Sequence, residues 1–274
     1  YGSADLNENP KPTWAGAKNF SKIITIGTPN EGAMNSLEAF YYGYTIDTLV
    51  GRYGIKSLNR EAIFTSPAAY QLLPHGNTAK FFDENLQPIK LDIYDSEIWK
   101  KYGWTILSDE KIMANYSPAM RNQAERFLKA VLQRAKLFHA ALDVKTTIPK
   151  SLGIYAFGSQ CKDTLDGAIV YFDKEENKWK TILRGDSFKK SDGEKVESKL
   201  VKQTIFSPGD GTVPLHSLLG ENVAALNGTI LQSIDSILPE PLIVCESHTA
   251  IPNSKKVQEV FTGLFTGQPI PKTN

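Results

Sequence analysis

Three short apolar runs, each stopping abruptly at a polar or glycine-containing loop, constrain this chain most. They are Lys22-Ile23-Ile24-Thr25-Ile26-Gly27, Leu152-Gly153-Ile154-Tyr155-Ala156-Phe157 and Leu242-Ile243-Val244-Cys245. None shows the strict alternation of a half-solvated strand. A short, nearly continuous apolar run suits a strand covered on both faces, as in a parallel sheet flanked by helices. Parallel neighbours need long crossovers, and the stretches between these runs are long enough to supply them.

Several of those stretches read as helices. Met120, Ala124, Phe127, Leu128, Val131, Leu132, Ala135, Phe138 and Leu142 form a stripe with 3.6-residue spacing. Val257, Val260, Phe261, Leu264 and Phe265 predict a final amphipathic helix, with Asn253 or Ser254 as its N-cap. Ala168–Asp173 and Lys178–Leu183, joined by polar Lys174–Asn177, predict a hairpin. Tyr1–Phe20 reads as a surface loop and Thr266–Asn274 as a polar tail. The expected class is therefore α/β, with a mainly parallel sheet and helices on its faces.

In open α/β sheets the functional groups gather just past the carboxyl ends of the strands. Three loops meet that condition: Thr28–Gly32, the region after Phe157, and Glu246–His248. Two motifs carry chemistry. Gly209-Asp210-Gly211-Thr212-Val213-Pro214 offers a carboxylate between two glycines that permit a tight turn. Ser247-His248-Thr249 puts an imidazole where the last strand stops. Taken singly, Asp-Gly is ordinary turn chemistry and a lone histidine is ordinarily structural. An acid followed by a histidine near the end of the chain matches the order Ser…Asp/Glu…His of α/β-hydrolases. That chemistry needs both groups: neutral imidazole takes the proton of an attacking serine, and the carboxylate fixes the tautomer and stabilises the imidazolium.

The chain resembles the lecithin:cholesterol acyltransferase and lysosomal phospholipase family, and lipases more broadly. The matching segments are Ile24–Gly32, Ser66-Pro67-Ala68-Ala69-Tyr70-Gln71-Leu72-Leu73-Pro74, Gly209–Pro214 and His248. The resemblance implies a partial α/β-hydrolase fold with a large helical cap insertion. It divides the chain into the start of the hydrolase core at 1–32, a cap or lid at 33–149, and a C-terminal core at 150–274. It implies Asp210 as catalytic acid and His248 as general base, acting on a lipid or other long-chain ester through an acyl-enzyme, as hydrolase or acyltransferase. Thr28 and Pro29, with Phe40, Tyr41 and Tyr44 of the cap, are the expected substrate contacts. Tyr42, Ile46, Leu49, Val50 and Tyr53 add to the aromatic and aliphatic content that would face an acyl chain or a lipid surface. The alternative for these rings is packing into a core.

One departure from the family pattern stands out: no G-x-S-x-G occurs in the 274 residues. Gly2-Ser3-Ala4 and Gly158-Ser159-Gln160 lack the second glycine. The family places its nucleophile a few tens of residues before the strand that leads into Thr-Pro-x-x-Gly. The expectation is thus a truncated chain whose serine lies upstream of Tyr1, consistent with the absence of an initiator Met. The competing reading is a binding or scaffold domain that keeps the fold without the serine. A third is a hydrolase of small soluble esters or peptides.

The other candidates read as structural. His216 is a rival base six residues after Asp210, but follows no buried strand and reads as packing or polar support. His75 reads as a turn residue and His139 as a helix residue beside the apolar stripe. Four scattered histidines and two distant cysteines give no zinc spacing, and no cofactor is implied. Cys161 and Cys245 lie near the ends of strands that are candidate neighbours, so a disulfide is open to them. Buried free thiols are the commoner arrangement. A formal net charge of +1, with both signs interspersed, gives no case for nucleic acid. No apolar run reaches the roughly 18 residues of a membrane-spanning helix.

Overall fold

A computed structural model describes residues 11–45, 57–144, 146–220 and 241–267. Ile46, Leu49, Val50 and Tyr53 lie outside the described residues. In chain order the elements begin with β1 (Lys22–Ile26), α1 (Met34–Tyr42), β2 (Tyr44–Thr45), β3 (Ser57–Leu58), α2 (Arg60–Phe64), α3 (Pro67–Gln71), β4 (Lys80–Phe82) and β5 (Pro88–Ile89). Then come α4 (Ser96–Lys101), α5 (Glu110–Met113), α6 (Pro118–Leu142), β6 (Gly153–Ser159), β7 (Lys162–Leu165), β8 (Gly167–Asp173), β9 (Lys178–Ile182), β10 (Phe188–Lys189) and β11 (Lys195–Val196). The chain continues with α7 (Ser198–Ile205), β12 (Phe206–Gly209), α8 (Leu215–Leu219), β13 (Leu242–Val244) and α9 (Lys255–Thr266). A 3-10 turn, His248–Asn253, precedes α9. The fold is mixed α/β and includes a parallel sheet and helices.

The chain divides into two compact units. The first takes Tyr1–Glu31, Ala140–Thr164 and Ser207–Asn274; the second takes Gly32–His139 and Leu165–Phe206. In the first unit the three apolar runs form one sheet in the order β1-β6-β13, parallel throughout. Phe157 of β6 is paired with Ile26 on one side and Leu242 on the other. Tyr155, Phe157 and Leu242 pack with Ile251, Val257, Val260 and Leu264, the inward stripe of α9 and the turn before it. Phe261 and Phe265 of the predicted stripe instead lie on the exposed side of α9. Ser254 is the N-cap residue of α9.

The second unit departs from the expected boundaries of 33–149 and from a helical cap. It contains a four-stranded sheet, β5-β4-β8-β9, in which β4 and β8 run parallel and the other pairs antiparallel. The predicted hairpin is present as β8 and β9, joined by 174–177. It belongs with the second unit because β8 offers its second edge to Lys80–Phe82, pairing Phe81 with Ala168. A three-residue strand is too short to leave a periodic signature, which is why the sequence assigned the hairpin to the C-terminal core.

The core of this unit is aromatic. Phe40 is almost fully buried, with ring centroids 4.4 Å from Tyr70 and 4.9 Å from Trp99. The buried polar edges are satisfied: Trp99 Nε1 donates to Ile93 O at 2.7 Å, Trp104 Nε1 to Thr181 Oγ1 at 2.8 Å, and Tyr70 Oη to Phe64 O at 2.9 Å. That satisfaction lets each ring contribute apolar burial without leaving an orphaned donor. Arg60 gathers several turns at once, donating to Phe40 O, Gly103 O, Thr105 O and Asp109 Oδ2. From α6 come buried Ala124, Leu128, Val131, Leu132 and Ala135, while Met120 and Leu142 at the ends of the predicted stripe are exposed. Pro118 occupies the first turn of that helix, where its missing N–H costs nothing. His139 is buried, its Nδ1 2.7 Å from Tyr94 Oη and its Nε2 2.9 Å from Gln71 O, with His75 stacked on it at 4.2 Å.

Candidate active site

The residues of interest in the first unit assemble from three loops. The Asp210 loop follows β12. Asp210 N donates to Val213 O at 3.3 Å, and a bridge between Gly209 and Pro214 closes the turn before α8 begins. Gly211 has φ +92°, in the left-handed region that glycine enters without penalty. A Cβ on Gly209 would meet Val213 O at 2.4 Å and Thr164 Oγ1 at 2.5 Å, so only glycine fits that approach. The turn aims two backbone amides at one carboxylate oxygen: Asp210 Oδ1 accepts from Thr212 N at 2.9 Å and Val213 N at 2.7 Å. Asp210 is 2% exposed, and burial of an ionised carboxylate requires such partners.

His248 begins the 3-10 turn after β13. Its backbone N donates to Asp210 O at 2.9 Å, and its Nδ1 lies 2.8 Å from Asp210 Oδ2. A carboxylate can only accept, so Nδ1 carries the proton and Nε2 keeps a lone pair. The His248 side chain is 35% exposed, and among the described residues Nε2 has no hydrogen-bond partner. The hydrogen bond to Asp210 raises the His248 pKa above its ordinary 6.5; burial opposes this and the Asp210 charge adds to it. The structure thus brings Asp210 and His248 together as an oriented pair.

Gly27, directly past β1, is the third component. It is buried, with φ +58°, and its N donates to Phe157 O at 2.8 Å. Thr28 and Pro29 follow it and are partly buried. The loop is then fastened by Asn30 Nδ2, which donates to Leu218 O at 2.6 Å, and by Glu31 N, which donates to Ser217 Oγ at 3.1 Å. Glu31 is fully buried, and its Oε2 lies 3.7 Å from His216 Nδ1. His216 therefore faces Glu31, while His248 holds Asp210.

Cys161 and Cys245 form a disulfide with Cα atoms 5.2 Å apart, the pairing that the sequence left open beside the commoner free thiols. Their strands are adjacent, so the chain beyond β6 is tied to the chain beyond β13, three residues before His248. Sequence reasoning could not decide this, because adjacency of the two strands had to be known first.

The expected cap contacts are placed differently. Phe40 is a core residue of the second unit, enclosed by Tyr70 and Trp99, which corrects its assignment to an acyl-binding surface. Tyr41 Oη accepts from Thr181 N at 3.4 Å, and Tyr44 is 51% exposed. The sequence reading also passed over Gly27, Thr164 and the Glu31–Ser217 fastening. Gly27 at a strand end was a usable signal; nothing local marks Thr164.

A scan against protein-family models finds none that matches this chain, and a search of curated proteins finds no relative. Among the described residues no group of three or more His, Cys, Asp or Glu side chains is arranged to hold a metal ion. No helix among them is long and apolar enough to cross a membrane.

Proposed function

We propose that this chain carries the acid and base of a serine acyl-ester hydrolase or acyltransferase acting on lipid-like esters, with a partial α/β-hydrolase fold around them. The observation that carries the proposal is the buried, amide-held Asp210 carboxylate bound to His248 Nδ1, which leaves Nε2 of the partly exposed ring as an acceptor without a hydrogen-bond partner among the described residues. A base oriented in this way takes the hydroxyl proton of a serine as its oxygen bonds to the acyl carbon. The same proton passes from Nε2 to the departing alkoxide, leaving an acyl-serine. Water or an acceptor alcohol repeats the sequence in reverse and frees the acid or a new ester. Nothing in this cycle consumes an oxidant, reductant or cofactor.

The serine is not among the described residues bonded to His248, so the test uses the full-length protein. A fluorophosphonate should label one serine covalently, and Asp210→Asn or His248→Ala should slow that labelling and ester turnover by on the order of 10⁴-fold. Absence of labelling and of turnover on esters of any chain length would favour a binding or scaffold role instead. The lipid-like substrate class rests on the resemblance of the Ile24–Gly32, Ser66–Pro74 and Gly209–Pro214 segments. Comparing butyrate with long-chain esters tests it separately.

A further inference from the structure

The geometry points to Gly27 as a positioning residue for the Asp210–His248 pair: the atom missing from its side chain is the space that the imidazole occupies. An ideal Cβ at Gly27 would lie 2.9 Å from His248 Nδ1, 3.0 Å from His248 Cε1 and 3.1 Å from Asp210 Oδ2. These are both partners of one hydrogen bond, met at their bonding atoms. The position has no slack on the opposite side. Gly27 N is held to Phe157 O at 2.8 Å, and the loop beyond is held by Asn30 to Leu218 O and by Glu31 N to Ser217 Oγ. Asp210 cannot retreat either, because Oδ1 is fixed by Thr212 N and Val213 N and the side chain is buried. His248 is the only one of the three with exposure, so it is the group that must move. A methyl at position 27 therefore pushes the imidazole off Asp210 Oδ2, and the tautomer that keeps Nε2 as acceptor is no longer enforced.

As a statement about reaction rate this inference rests on the proposed hydrolase function; as a statement about the Asp210–His248 hydrogen bond it does not. The closing experiment separates the two. Full-length Gly27→Ala is compared with Gly267→Ala, which has a similar left-handed backbone (φ +68°) and no atom within 4 Å of the added Cβ. Both substitutions carry the backbone penalty, so the difference between them is the contact with His248 and Asp210 Oδ2. The first readout is the His248 ring by NMR. Gly27→Ala should lose the low-field Nδ1 proton and bring the His248 pKa down towards 6.5, while Gly267→Ala leaves both as in the wild type. The second readout is a thermal-stability cycle. In the wild-type background Gly27→Ala should lower Tm more than Gly267→Ala does; in a His248→Ala background, where the imidazole is gone, most of that excess should disappear. The cycle also covers the case in which Gly27→Ala alone does not fold, because the double variant should then fold. With activity present, kcat should fall on the order of 10²-fold with little change in KM. Retention of the Nδ1 signal and pKa in Gly27→Ala, or equal destabilisation with and without the imidazole, overturns the role of Gly27. Failure of fluorophosphonate to label the wild-type protein overturns the hydrolase reading and leaves these two readouts to decide the positioning role.

Discussion

Thr164 Oγ1 accepts a hydrogen bond at 2.9 Å from Gly211 N, the amide directly after Asp210. The same hydroxyl donates to Lys162 O at 3.1 Å, so its rotor is fixed and its lone pair faces the loop. Thr164→Val keeps the shape and removes the acceptor. The expected result is a loss of about 1 kcal/mol in stability and a slower enzyme, with Thr164→Ser recovering both. Denaturant titration of the three proteins checks the first part. If Thr164→Val matches the wild type in stability and in the His248 NMR signal, the loop does not depend on this contact.

The raised pKa of His248 gives a pH dependence with a definite sign. Nε2 works as a base only when the ring is neutral, so kcat/KM should rise with pH through a midpoint above 6.5. Asp210→Asn removes the hydrogen bond that raises the pKa and should move the midpoint down. Stability follows the opposite direction. The folded state binds this proton more tightly than the unfolded chain does, so the stabilisation is complete below the unfolded pKa and is lost as pH rises through the folded value. Proton-linked unfolding of wild type and His248→Ala measures it; parallel curves for the two proteins would contradict it.

The disulfide spans 84 positions of sequence. Closing a loop of that length removes unfolded-state entropy equivalent to about 4.5 kcal/mol in the chain-entropy model. Replacing Cys161 and Cys245 together by Ala, or reducing the bond, should cost about 2–4 kcal/mol. The turn that begins at His248 should then protect its amides less well in hydrogen exchange than β6 does. Unchanged Tm under strong reductant would argue against a structural role for the bond.

Phe40 and Tyr44 should separate in their effects. Phe40→Ala leaves a cavity between Tyr70 and Trp99 and should cost about 3–5 kcal/mol. Tyr44 is half exposed, and Tyr44→Ala should change stability by no more than about 0.5 kcal/mol. If Phe40 is core and not acyl-binding surface, Phe40→Ala leaves the ratio of long-chain to butyrate turnover unaltered in whatever protein remains folded. A selective loss of long-chain turnover would restore it to the substrate site.

The parallel sheet was legible because its three strands are short, nearly continuous apolar runs, although in β1 no residue is fully buried and Ile23 is exposed. The pairing of Asp210 with His248 was legible from the order of acid and histidine along the chain and from the resemblance; no local pattern announced β12, the strand before Asp210, which pairs with β7 outside the parallel sheet. The composition of the second unit was not legible. β4 offers only Lys80-Phe81-Phe82, and its pairing with β8 depends on a contact that no local pattern announces. Aromatic content was ambiguous in the same way: Phe40, Tyr41 and Tyr44 are alike in sequence, yet one is buried and one is half exposed. Gly27 had a signal that went unread. A glycine at a strand end can serve a turn or a close approach, and here it serves both.

The place of Phe157 bears on how accurately Gly27 and His248 meet. Gly27 N is bonded to Phe157 O, and Phe157 is in register with Leu242 at the start of the strand that leads to His248. The two loops are thus located from a single datum, as parts in a machine are dimensioned from one reference face. β1 and β13 each lie one strand spacing, about 4.8 Å, from β6, so both loops are placed by direct pairing with β6 and not through the long intervening chain. A one-residue slip of β6 would therefore shift both loops at once.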